Sequence, residues 1–216
     1  MKRAQPTEPI IQTKKSQAAM TLGQALELLK AGNKRFVEGK MLNRDLREQV
    51  SATAGGQFAY AVILSCQDSR TSSEVLFDLN KGDAFSIRIA GNVVNEDVLG
   101  GLEFSTRLMG ARLIAVIGHT RCGAITGAID NAQLGNLTAL LSKIRPAVES
   151  TLAGGWPEGE VKSKLVEAVA KANVLLAMRQ IRERSPVIKE MLESGQIGLV
   201  GGMYNLSTGK VIFYED

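Results

Sequence analysis

The chain has 216 residues, 44% of them hydrophobic and 22% charged, with a mean hydropathy near zero, the composition of one globular domain with a sizeable core. Its formal charge is +4, but basic and acidic residues are interleaved and aromatics make up only 5%. That excludes the basic stripe with stacking aromatics of a nucleic-acid binder, the absence of any apolar run near ~18 residues excludes a spanning helix, and two cysteines make no disulfide framework.

The first twenty residues contain Lys2, Arg3, Pro6, Glu8, Pro9, Lys14 and Lys15 and no apolar h-region. They are not a secretory signal. They read as a polar, flexible leader, or an arm that docks on a neighbour, ahead of a single domain over 21–216. A reducing compartment keeps both cysteines as thiols or ligands, and the cytoplasm is the expected location.

Thr21 with Gln24 three residues on is a capping-box pattern. Leu22, Ala25, Leu26, Leu28, Leu29 and Phe36 then recur at helical spacing, and Gly39 ends the helix. A short helix is expected over Asp45–Thr53. Phe58–Leu64 is a continuous apolar run, the mark of a parallel strand buried on both faces, and Cys66 follows it. Ala84–Ala90 is a second strand, broken by Gly91-Asn92. Asn95–Met109 is helical and stops at Gly110. Arg112–Ile117 is a third strand, with His119 just past its carboxyl end. Helices follow over Cys122–Ile129, Leu137–Val148, Glu160–Arg184 and Val187–Ser194, the third ending before Ser185-Pro186. Strands at Ile197–Tyr204 and Lys210–Tyr214 close the chain around a turn at Ser207–Gly209. This alternation predicts an α/β fold, a mainly parallel central sheet flanked by helices, with an N-terminal helical arm.

One histidine and two cysteines are present in the whole sequence, and all three fall in two segments. Ser65-Cys66-Gln67-Asp68-Ser69-Arg70 supplies one, and Gly118-His119-Thr120-Arg121-Cys122-Gly123 supplies two. Alone, Cys66 reads as a small buried hydrophobe and His119 as a core or loop histidine. Together they lie beyond the carboxyl ends of two buried strands, where sites of open α/β sheets form. Two thiolates and an imidazole suit tetrahedral zinc, with a fourth position for water or a protein group. Cys122 opens a helix, where the dipole favours thiolate. Asp68 has two possible partners, the metal or Arg70.

At these residues the sequence resembles the β-class carbonic anhydrases, which carry C-x-D-x-R and, about fifty residues later, H-x-x-C followed by Gly. The likeness runs from about Thr21 to the C-terminus and includes Gly82-Asp83-Ala84-Phe85, Ala90-Gly91-Asn92 and the stretch from Gly118 to Ile125. The resemblance implies reversible hydration of carbon dioxide to bicarbonate and a proton, with one zinc per subunit on Cys66, His119 and Cys122. It implies that Asp68 and Arg70 are the catalytic dyad: in an open form Arg70 holds Asp68, which orients zinc-bound water; in a closed form Asp68 ligates zinc. Gln57, Phe85 and the Gly123 amide correspond to substrate-binding positions. The family forms dimers with sites at the subunit interface, and often tetramers, with an N-terminal helix packed on the partner.

Three positions depart from the family pattern. Gln67 stands where the motif is small or apolar, and Ile89 stands where many members have asparagine. Ile63 replaces the tryptophan of a regulatory bicarbonate pocket, so Arg88 and Tyr204 read as structural. No second histidine is available as a proton shuttle, which leaves water, buffer, carboxylates or a tyrosine. Rival readings are a lyase for carbon disulfide or carbonyl sulfide on the same scaffold, a zinc or redox sensor, which would favour a C-x-x-C pair, and a nucleotide binder, for which no glycine-rich phosphate motif exists.

Overall fold

Five strands form one sheet in the order β2-β1-β3-β4-β5, with β1 at Ala61–Ser65, β2 at Ala84–Arg88, β3 at Leu113–His119, β4 at Gly198–Tyr204 and β5 at Val211–Tyr214. The computed structural model describes residues 11–214. β1 runs parallel to β2 and β3, β3 runs parallel to β4, and only β5 is antiparallel. Every residue of β1 and β3 is buried, which is why both read as unbroken apolar runs rather than as alternation. The mainly parallel α/β architecture expected from the sequence is the one observed.

Ten helices are described: α1 (Lys14–Ala18), α2 (Leu22–Val37), α3 (Leu46–Thr53), α4 (Ser73–Leu76), α5 (Glu96–Glu103), α6 (Gly123–Ile129), α7 (Gly135–Ser142), α8 (Arg145–Leu152), α9 (Lys162–Arg184) and α10 (Pro186–Glu193). Val62, Leu64, Ile114 and Val116 pack on Val174, Ala177, Met178 and Ile181 of α9. On the opposite face Ala61, Ile63, Leu113 and Ala115 pack on Ala25 and Leu29 of α2 and on Leu76 and Phe77. Each side chain of this kind contributes roughly 1.5–3 kcal/mol by leaving water. Among the described residues no helix is long and apolar enough to cross a membrane.

The capping box at Thr21 forms: Gln24 N donates to Thr21 Oγ1 at 3.2 Å, and Thr21 N donates to Gln24 Oε1 at 2.9 Å. Asn95 caps α5 through the Val98 amide. Part of the expected leader, by contrast, is helical. In α1 the buried Gln17 donates to the carbonyls of Ala59 at 2.7 Å and Met109 at 2.8 Å, tying the segment to the amino ends of β1 and β3. Of the residues that mark the leader, Lys2 to Pro9 lie outside the described residues, while Lys14 and Lys15 open α1. The Leu137–Val148 helix is two helices, α7 and α8, because Pro146 in the first turn of α8 has no N–H to continue the ladder. The Asn95–Met109 helix widens into a π turn over Phe104–Leu108 before Gly110, whose φ is +81°. β3 runs two residues further than expected, so His119 is its last residue.

Candidate metal centre

β1 and β3 are adjacent and parallel, with Ser65 opposite Ile117, so the segments that leave their carboxyl ends meet. Cys66 follows β1 directly. His119 ends β3 opposite Tyr204 of β4, and Cys122 is the N-cap of α6. The turn between them holds Arg121 at φ +53°, a left-handed conformation uncommon outside glycine. It is kept by the Thr120 N–H on Tyr204 O at 3.0 Å, the Leu206 N–H on Thr120 Oγ1 at 3.1 Å and the Arg121 guanidinium on Ser207 Oγ.

Cys66, His119 and Cys122 are 4%, 1% and 2% exposed, and their ligand atoms all lie within 4.8 Å of one another. The two Sγ atoms are 3.9 Å apart. Two sulfurs on one tetrahedral zinc, each bonded at ~2.3 Å, stand about 3.8 Å apart. His119 Nδ1 lies 2.9 Å from the Thr120 carbonyl, a contact that requires Nδ1 to carry the proton and leaves the lone pair on Nε2. That Nε2 is buried with no hydrogen-bond partner, a costly state for a polar atom unless something else binds it. The donor set therefore fits a soft, tetrahedral divalent metal.

The paired thiols titrate unequally. The hydrogen bond from Cys122 pushes the Cys66 thiol well below its ordinary value, against burial, with His119 and the Gly91 N–H helping. Cys66 beside it, and burial, push Cys122 up, opposed by the amides of Ile125 and Ala124 at the start of α6. The Gly91 N–H donates to Cys66 Sγ at 3.3 Å.

Asp68 stands beside the cluster with Oδ2 4.0 Å from His119 Nε2. Arg70 grips it from the other side: Nε to Oδ1 at 2.9 Å, Nη2 to Oδ2 at 2.7 Å, and the backbone N–H to Oδ1 at 3.0 Å. This bidentate grip holds the Asp68 carboxyl well below the usual carboxylate range. The loop carrying Cys66 and Asp68 is pinned through its carbonyls. Thr71 Oγ1 donates to Cys66 O and to Asp68 O, both at 2.9 Å. Arg88 Nε donates to Cys66 O at 3.2 Å and Nη2 to Asp68 O at 2.6 Å.

The remaining predicted positions are more scattered. Gly123 is the first residue of α6, next to Cys122, and a Cβ there would meet nothing within 4 Å. Phe85 is half-buried on the edge strand β2, opposite Val62, with its ring edge-on to Phe104 at 6.3 Å. Gln57 is exposed in the loop before β1, at the opposite end of that strand from Cys66. Gln67 is exposed, and Ile63 is fully buried in the sheet. Sequence reasoning gave Gly91 no role at the site, reading it as a strand breaker and as part of the family likeness, and it passed over Thr71 and Asn173. Asn173 had one faint signal, a buried amide on the otherwise apolar inner face of α9.

A carbonic anhydrase family model matches residues 61–211. Carbonic anhydrase 2 of Mycobacterium tuberculosis is 31% identical over 192 residues, spanning 88% of this chain and 92% of that protein. Among solved structures, the β-carbonic anhydrase CafA of Aspergillus fumigatus matches with a TM-score of 0.71 at 25% identity, covering 94% of this chain and 91% of that one. A Coccomyxa β-carbonic anhydrase in complex with acetazolamide matches with a TM-score of 0.70 at 25% identity, covering 86% and 84%.

Proposed function

The chain belongs to the β-class carbonic anhydrases, enzymes of carbon dioxide hydration, and we propose that it works with one zinc per subunit held by Cys66, His119 and Cys122. The observation that carries this reading is the buried triad, with its partnerless Nε2 and its 3.9 Å sulfur spacing. Zinc, when bound, supplies a water acidic enough to act as the nucleophile on carbon dioxide.

The chain's own residues do the rest. Asp68, its carboxyl held well below the usual range by Arg70, offers an acceptor oxygen beside the triad. Arg70 fixes its direction and keeps it from reaching the metal itself, the arrangement of an open site. Thr71 and Arg88 hold the loop so that thiolate and carboxylate keep their relative places. The Gly123 amide at the start of α6 presents a donor and an unobstructed surface to substrate, and Phe85 contributes an apolar wall. Gln57, at the far end of its own β1, serves the site of a second copy. That assignment implies a dimer or tetramer with sites at the interface. The position of β2 at the end of the sheet, and the exposed Val75 and Phe104, support it.

Residues 21–216 act as one catalytic domain, with α1 docked on it through Gln17. The protein works in the cytoplasm, where two free thiols stay reduced, and needs neither nucleic acid nor membrane. The direct test is zinc content with stopped-flow hydration of carbon dioxide on the purified protein. One zinc per chain and acetazolamide-sensitive turnover are expected. A zinc-loaded protein with no hydration above the buffer rate ends the proposal.

A further inference from the structure

We propose that Asn173, on α9, is a positioning residue for the metal thiolate: it holds Gly91 by its carbonyl so that the Gly91 N–H stays on Cys66 Sγ. The inference rests on the zinc reading above. Asn173 is 2% exposed among the apolar residues Val169, Ala170, Val174 and Ala177 of the same helix. A buried amide on such a face carries a desolvation cost unless bonded. Its Nδ2 donates to the Gly91 carbonyl at 2.7 Å, across 82 residues of sequence.

Gly91 is the pivot. Its φ is +66° and ψ +19°, and a Cβ there would sit 2.6 Å from Ile144 Cδ1, so both the conformation and the space require glycine. The carbonyl that Asn173 grips and the N–H that meets Cys66 flank the same Cα. A glycine is the softest joint in a backbone, so a donor aimed from it at sulfur needs a second anchor. Asn173 supplies that anchor from the core helix, and the Asn92 N–H on Ile89 O at 2.9 Å closes the turn.

An N–H on a thiolate withdraws charge from the sulfur and fixes the direction of its lone pairs. Groups of this kind behind a metal ligand tune affinity by 10–100-fold. Asn173 is not one of the three ligand residues, and it acts on Cys66 through Gly91.

The test compares wild type with Asn173→Leu, which keeps the branched outline of the side chain and removes the donor. Zinc affinity by chelator competition should fall 10–100-fold. The sulfur-to-metal charge-transfer band of the cobalt(II)-substituted protein should move to longer wavelength, because an unbonded thiolate gives up its electron more easily. In cadmium-113-loaded, nitrogen-15-labelled wild type, a coupling should connect the metal to the Gly91 amide proton through the hydrogen bond to sulfur. A folded variant with unchanged affinity and band, whatever its melting temperature, overturns the proposal. So does metal-loaded wild type without the coupling, a measurement that stands even where the variant does not fold. Failure of the zinc reading looks different: wild type itself then takes up no stoichiometric zinc and gives no charge-transfer band.

Discussion

Asp68 is shared between two neighbours of opposite character: Arg70 donates to both of its oxygens, at 2.9 and 2.7 Å, while Oδ2 faces His119 Nε2 at 4.0 Å. The carboxylate thus lies beside the triad with both of its oxygens held by the guanidinium. If the proposed dyad operates, Arg70→Ala should free Asp68 to move toward the metal. Hydration should fall 10–100-fold with zinc content unchanged, and X-ray absorption should report an added oxygen ligand from the protein. Asp68→Ala should lose activity to a similar degree without that ligand. Full activity in either variant removes the dyad from the mechanism.

His119 Nδ1 meets the Thr120 carbonyl, so only Nε2 is free for a ligand. His119→Ala and Cys122→Ser should each lower zinc content below one per chain and abolish turnover, and chelation of the wild type should do the same reversibly. A metal that binds only the folded chain should also stabilise it, by about 4 kcal/mol when free zinc is 1,000 times its Kd. Thermal melts with and without chelator read this directly, and coincident melts would mean that the triad holds nothing.

The second consequence of a lone histidine is kinetic. His119 is buried in the cluster, and no other imidazole exists in the chain, so no side chain with an ordinary pKa near neutrality can carry the proton away. Turnover at saturating carbon dioxide should rise with buffer concentration at fixed pH and ionic strength until proton transfer ceases to limit. A rate flat across that titration would mean an internal relay through carboxylate or tyrosine.

Asp83 offers a pH test away from the metal. Burial pushes its carboxyl up to about 6, against the Asn80 amide that donates to Oδ2 at 2.8 Å. The native state thus holds a proton that the unfolded chain gives up near pH 4, so this stabilisation is complete below about pH 4 and is lost as pH rises through 6. The swing is roughly 3 kcal/mol. Asp83→Asn, which keeps an acceptor and cannot ionise, should gain stability relative to wild type between pH 4.5 and 7.5. Denaturant melts that differ by the same amount at both pH values would contradict the buried-acid account.

What the sequence disclosed and what it hid divide along physical lines. β1 and β3 announce themselves because both faces are buried, and the triad because soft ligands are scarce in this chain. α1 has no apolar period: its hold on the fold is Gln17 reaching two carbonyls, and a polar residue on a short helix gives no pattern to read. The break between α7 and α8 was signalled by Pro146, but the apolar spacing of Leu140, Leu141, Ile144 and Val148 runs through it. Each bond that pins the Cys66–Asp68 loop, from Thr71, Arg88 or Gly91, has a backbone group as one partner, and a backbone group has no sequence identity of its own.

Gln57 sets the last expectation. Tyr60 N donates to Asp83 O at 2.9 Å, just ahead of β1 and β2, so Gln57 lies at the amino end of the sheet, and the five residues of β1 separate it from Cys66. At about 3.3 Å of rise per residue that strand alone spans more than 15 Å, beyond the reach of a glutamine side chain. If Gln57 contacts substrate, it does so in a neighbouring copy. Gln57→Ala and His119→Ala should each be poor enzymes alone. Co-refolded together, they should form mixed dimers with one complete site, in which an intact His119 faces the other chain's Gln57. Up to half of the wild-type rate per mixed dimer should return. Activity that never exceeds the sum of the two separate variants would place Gln57 outside the catalytic site.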